Sequence, residues 1–181
     1  MSGSSQDAGA SGAQPKRGRA GAHQRCRLAT LDFEASSLDE NSYPIEVGVA
    51  ISEDNAITQT YEALIRPREA WVRNGRWSKA AERVHGISQA SLEDGMDADA
   101  VCDALDTLLK EQVVYADGGD FDAYWLERLY GSRKPAFSLC RHDQLPAKAL
   151  LALRQSHKVV HRALADALWL NEALQTIWQD A

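Results

Sequence analysis

No segment of the sequence is apolar for long enough to cross a membrane, and the N-terminus lacks the apolar run of a signal peptide. Cysteine is scarce. Cys26, Cys102 and Cys140 are odd in number and far apart, which fits neither a disulfide framework nor a zinc site. Positive charge is also short, with 20 Lys and Arg against 26 Asp and Glu. The tail, residues 1–26, takes four of those cations (Lys16, Arg17, Arg19, Arg25) and only one acid, Asp7. The remainder is therefore more acidic than the chain as a whole. Such a surface cannot grip long nucleic acid by charge alone. It leaves room for an enzyme that holds a few nucleotides and borrows positive charge from metal ions. The expectation is a soluble, cytoplasmic protein with no membrane contact.

The tail is Gly-, Ser-, Ala- and Gln-rich, with almost no large apolar side chain, and reads as disordered. Residues 27–181 suffice for one domain with a real core. Apolar runs at 27–33, 46–51 and 57–66 predict three strands, with Asp54-Asn55 as a tight turn. Residues 68–77 read as irregular. Ser78 can cap a short helix through Val84. Val101, Leu105, Leu108 and Leu109 give 97–110 helical spacing. A short strand at 113–116, a helix at 121–130, a short strand at 137–139, a helix at 147–155 and a last helix at 161–179 follow. The fold class is α/β, with an antiparallel meander extended by parallel strands reached through helices.

Asp32 and Glu34 lie two apart in the first strand, so they leave the same face while Leu31 and Phe33 enter a core. Neighbouring carboxylates repel unless a cation lies between them, and oxygen ligands suit Mg²⁺ or Mn²⁺. Asp122 lies just past the strand 113–116, where open α/β sheets gather ligands, with Asp120 as a competitor. His161 and Asp166 are five apart, about 500° of helical rotation and about 140° off one face. They share a face only if His161 stands at or before the helix start. Four carboxylates and one histidine suit two-metal phosphoryl chemistry with the imidazole as base.

These residues resemble the DEDDh branch of 3′–5′ exonucleases. The first motif is Asp32-Phe33-Glu34-Ala35-Ser36, the second Phe121-Asp122-x-x-Trp125-Leu126, and the third His161-x-Ala163-x-x-Asp166-Ala167. Pro44 to Gly48 and His85-Gly86-Ile87 are also similar to that family. The resemblance spans about residues 27–178. It implies a ribonuclease H-like mixed central sheet flanked by helices. It implies that Asp32, Glu34, Asp122 and Asp166 hold two Mg²⁺ or Mn²⁺ ions and that His161 is the base. It also implies that Ala35, Ser36 and Leu38 meet the terminal nucleotide. The implied reaction is hydrolysis at the 3′ end of single-stranded RNA or DNA, with release of nucleoside monophosphates. The alternative is a catalytically weak nuclease-like module that binds nucleic acid or a protein partner. Gly118 stands where the family often has asparagine. The apolar last helix leaves room for a homodimer. Trp71 and Trp77, among Arg73, Arg76 and Lys79, read equally as a base-stacking platform or as core anchors. His85 reads as a turn residue bonded to backbone.

Overall fold

In the computed structural model the described residues are 27–141, 144, 145, 147, 151 and 161–179. The tail and the helix expected at 147–155 therefore lie outside the described residues, apart from isolated positions of the latter.

Three antiparallel strands open the domain: β1 (Arg27–Ala35), β2 (Pro44–Glu53) and β3 (Ala56–Arg66). Two short helices follow, α1 (Glu69–Asn74) and α2 (Lys79–His85), then a 3₁₀ segment at Ala90–Asp94. A two-residue strand β4 (Met96–Asp97) leads into α3 (Ala98–Leu109). Beyond it come β5 (Val113–Tyr115), α4 (Asp120–Tyr130), β6 (Ser138–Cys140) and α5 (Ala163–Gln179). The sheet order is β4-β3-β2-β1-β5-β6, with β5 parallel to β1 and β6 parallel to β5. This is the mixed α/β sheet that the strand spacing predicts.

Residues 68–77 differ from expectation, because Glu69–Asn74 is helical. Its signal was weak because the helix has fewer than two turns. Trp71 sets its place by entering the core, stacked on Tyr43 with the Arg68 guanidinium over its ring. Trp71 is thus a core anchor. Trp77 donates its indole N–H to Glu82 at 2.6 Å. α2 matches its capping signal, with Ser78 Oγ accepting from Ala81 N–H and Gly86 ending it in the left-handed conformation.

Alternation along β1 places the site. Ala29, Leu31 and Phe33 join the larger core with Val101, Leu105, Leu126 and Leu129 of α3 and α4. The opposite face carries Leu28, Thr30, Asp32 and Glu34, and α5 covers it. Leu28, Leu170, Leu174 and Ile177 form a second apolar cluster there. α5 comes close because β2 offers Gly48 and Ala50 beneath it. A Cβ on Gly48 would overlap the backbone of Ala163 and Leu164. Polar pins fix the helix further along. Thr30 Oγ1 donates to the Ala167 carbonyl at 2.7 Å. Asn171 Nδ2 donates to the carbonyls of Ala50 and Leu28 at 3.1 and 3.3 Å. All of these groups are buried, so their hydrogen bonds are obligatory.

Candidate active site

β1 ends at a register shift between Glu34 and Ala35. An irregularity of this kind bends the strand and re-aims its last side chains. Two clusters of ligand atoms meet there, each gathered within 4.8 Å. One comprises Asp32, Asp117 and Asp122. The other comprises Glu34, His161 and Asp166. All four carboxylates and the histidine singled out from sequence are thus brought to one strand end. His161 stands two residues before α5, and Asp166 lies in the helix's first turn, buried. Only this placement lets both face Glu34, as the rotation along the helix requires.

Asp122 and Asp120 part company. Asp122 is buried in the first turn of α4, whereas the Asp120 side chain is 91% exposed and pairs with Arg141 at 3.1 Å. Asp122 Oδ2 accepts the Gly118 N–H at 2.8 Å. A Cβ on Gly118 would come within 2.5 Å of that carboxylate.

Asp117 was not singled out from sequence. It sits between β5 and α4 in a run, Asp117-Gly118-Gly119, that reads as a flexible link. Gly119, at φ 66°, turns the chain so that Asp117 folds back toward Asp122. An acid two residues past the end of a parallel strand was the available signal.

Ser36 is turned inward. Its hydroxyl accepts the Tyr43 N–H at 3.1 Å, and its own N–H donates to the Tyr43 carbonyl at 2.9 Å. Ala35 and Leu38, by contrast, line a cleft of about 430 Å³ that also touches Glu34, His161, Val84, His85 and Trp125. Leu38 is 71% exposed. His85 is buried, and its Nδ1 accepts the Ile87 N–H at 3.0 Å, the turn role expected of it. Burial holds His85 below the usual imidazole range.

The electrostatics ask for a cation. Burial, with Asp122, Glu34 and Asp117 nearby, holds Asp32 well above the usual carboxylate range. Burial and the Asp166 and Glu46 charges push Glu34 up to about 8, against the opposing pull of Arg162. Burial and Asp117 push Asp122 up to about 7, offset in part by the Gly118 N–H. Asp122 Oδ1 is buried without a hydrogen-bond partner among the described residues. Crowded, desolvated carboxylates that repel one another fit hard divalent cations.

The RNase T exonuclease family model matches residues 30–174. The chain belongs to this exonuclease family. Nucleases of this family generally use divalent metal ions, and two clusters of candidate ligand atoms are present here. No curated protein matches the chain in sequence. Among solved structures, a 3′-exonuclease that recognises the 3′ end of a histone mRNA stem-loop is 15% identical, with a TM-score of 0.62. That match covers 87% of this chain and 65% of the other. Exonuclease I of E. coli, in complex with a dT13 oligonucleotide, is 10% identical, with a TM-score of 0.63 over 87% of this chain and 42% of the other. Exonuclease X, in complex with 5′-overhanging duplex DNA, is 18% identical, with a TM-score of 0.57 over 85% and 92%. The chain spans under two thirds of the first of these proteins and under half of the second. These likenesses show the shared ribonuclease H-like fold. Among the described residues no helix is long and apolar enough to cross a membrane.

Proposed function

We propose that this exonuclease works from the 3′ end of single-stranded RNA or DNA, releasing nucleoside monophosphates one at a time. One observation carries the reading. Glu34 and His161 belong both to the acid clusters and to the wall of the adjoining cleft. A terminal nucleotide seated in that cleft brings its phosphodiester to the carboxylates. The similar solved structures include proteins bound to RNA and to DNA, so the sugar is left open.

Asp32, Glu34, Asp122 and Asp166 hold two Mg²⁺ or Mn²⁺ ions in this reading, with Asp117 beside Asp32 and Asp122. When bound, such ions supply Lewis acidity to the attacking water and to the leaving oxygen. His161 takes the water proton on a ring nitrogen as the new P–O bond forms. The bond to the neighbouring 3′ oxygen breaks, and solvent protonates that oxygen. Ala35 and Leu38 meet the terminal nucleotide, with Leu38 against its base. Trp125 closes the cleft on the α4 side, its indole N–H bonded to Ser42 Oγ at 2.9 Å.

The test is digestion of 5′-labelled single-stranded RNA and DNA in Mg²⁺, Mn²⁺ or EDTA, by wild type and Asp32→Ala. A ladder that shortens from the 3′ end, and disappears with EDTA or the substitution, supports the reading. No cleavage of short or long oligomers in either metal would move it to a module that binds without cutting.

A further inference from the structure

The strand beside β1 carries an acid of its own. Glu46 of β2 stands opposite Glu34 in the antiparallel register and is completely buried. A buried carboxylate must be paired, or its desolvation outweighs what it contributes. Glu46 spends its oxygens on the corner that precedes α5. Oε1 accepts from Arg162 Nη2 at 2.6 Å, and Oε2 from Arg162 Nε at 3.1 Å. This is the two-pronged carboxylate–guanidinium geometry. Oε2 also accepts the backbone N–H of Ala163 at 3.0 Å.

Ala163 is the first residue of α5, and its N–H is one of the donors a helix start leaves unpaired. A Ser, Thr, Asp or Asn just before the helix would ordinarily serve such donors. Here that residue is Arg162, whose carbonyl accepts the Asp166 N–H at 3.0 Å but whose side chain has no acceptor. Glu46 supplies from the neighbouring strand what the helix's own sequence lacks. His161 comes immediately before, at φ 54°, a left-handed conformation that a non-glycine residue keeps only when its surroundings hold it.

We propose that Glu46 is a positioning residue for the exonuclease reaction. Through Arg162 and the Ala163 amide it fixes the corner from which His161 reaches Glu34 and Asp166. The role rests on the reading of His161 as the base. Glu46 itself stays behind the site; its charge also bears on Glu34, and that effect, unlike the positioning of His161, survives when His161 is removed.

Steady-state hydrolysis of a labelled oligonucleotide is compared for wild type, Glu46→Leu, His161→Ala and the double variant. Leucine keeps the volume and removes both pairings, and the Arg162 side chain, 45% exposed, can turn to water. Glu46→Leu lowers kcat by about 100-fold with KM unchanged, as for a reacting group moved by about 1 Å. In the His161→Ala background the same change costs under about twofold, because the group it positions is gone. Glu46→Gln, which keeps an acceptor for the Ala163 amide, recovers part of the rate. An equal loss in both backgrounds, or a rise in KM in place of the fall in kcat, overturns the proposal. Should Glu46→Leu fail to fold, Arg162→Gln replaces it in the same cycle. A readout independent of turnover is hydrogen exchange of the Ala163 amide, which speeds up at least about tenfold in Glu46→Leu as a capping bond is lost. If wild type cuts no substrate, the exonuclease reading falls by itself, and unchanged exchange at Ala163 then overturns the role of Glu46.

Discussion

Gly48 of β2 lies directly beneath Ala163, the first residue of α5, with no room for a Cβ between them. Asp32 is the partner of Gly48 across the β1–β2 register, so the helix start is seated beside the first carboxylate. Gly48→Ala must push α5 outward, and with it His161 and Asp166. Overpacking of this kind costs about 1–3 kcal/mol. Urea unfolding should show that loss, and hydrolysis measured well below the transition should fall further than the folded fraction does.

The metal-free protein should lose stability as pH rises. Glu34 and Asp122, at about 8 and about 7, hold their protons in the folded state to higher pH than in the unfolded chain. The folded state therefore binds more protons between the ordinary carboxylate range and about 8, and stability falls across that window. In EDTA the melting temperature should drop from pH 5 to pH 8. Added Mg²⁺ or Mn²⁺ should restore it, more strongly at pH 8, where the ligands give up fewer protons to bind. A flat profile in EDTA would contradict the crowding of carboxylates.

Asp120 and Asp122 make a matched pair of substitutions. Asp120→Ala removes an exposed ion pair and should change stability by under about 1 kcal/mol, with cleavage unaltered. Asp122→Ala should cost cleavage at least the 10–100-fold, or roughly that, typical of groups one step further from a metal. Rates of oligonucleotide hydrolysis decide between them.

Leu38→Ala tests the cleft without disturbing the fold. The side chain is exposed, so unfolding free energy should shift by no more than about 0.5 kcal/mol. KM for the oligonucleotide should rise by about tenfold, the discrimination that a few apolar contacts supply.

Trp71→Ala should act in the opposite sense. Removing a buried indole costs about 3–5 kcal/mol. Oligonucleotide affinity of the protein that remains folded should be unchanged, since Trp71 is an anchor and not a stacking surface.

Much of this site was legible because its geometry is local. The i, i+2 spacing put Asp32 and Glu34 on one face of β1, and the rotation between His161 and Asp166 required His161 to precede the helix. What escaped was set by long-range contacts. Asp117 reaches Asp122 only after the turn at Gly119. Glu46 looked like one acid in an apolar strand, and only the docking of α5 reveals Arg162 as its partner. In hindsight that lone acid was a signal, because every other residue of β2 up to Ser52 is buried as well. Helix Glu69–Asn74 exists because Trp71 finds Tyr43, and no periodicity within six residues announces that. β4 has two residues and follows from the end of β3, which its own sequence does not report.

Thr30 and Asn171 give the last helix a property that apolar packing would not. Leucine and alanine faces tolerate sliding, since one greasy ridge replaces another a turn away. Hydrogen bonds from Thr30 to Ala167 and from Asn171 to Leu28 and Ala50 have no such degeneracy. They index α5 like a key in a slot, so its axial setting and rotational phase have a single solution. Asp166 lies one residue from that index point, inside the same turn. The seating of Asp166 beside the acid cluster is therefore set from within the protein's interior, by polar groups that never meet solvent.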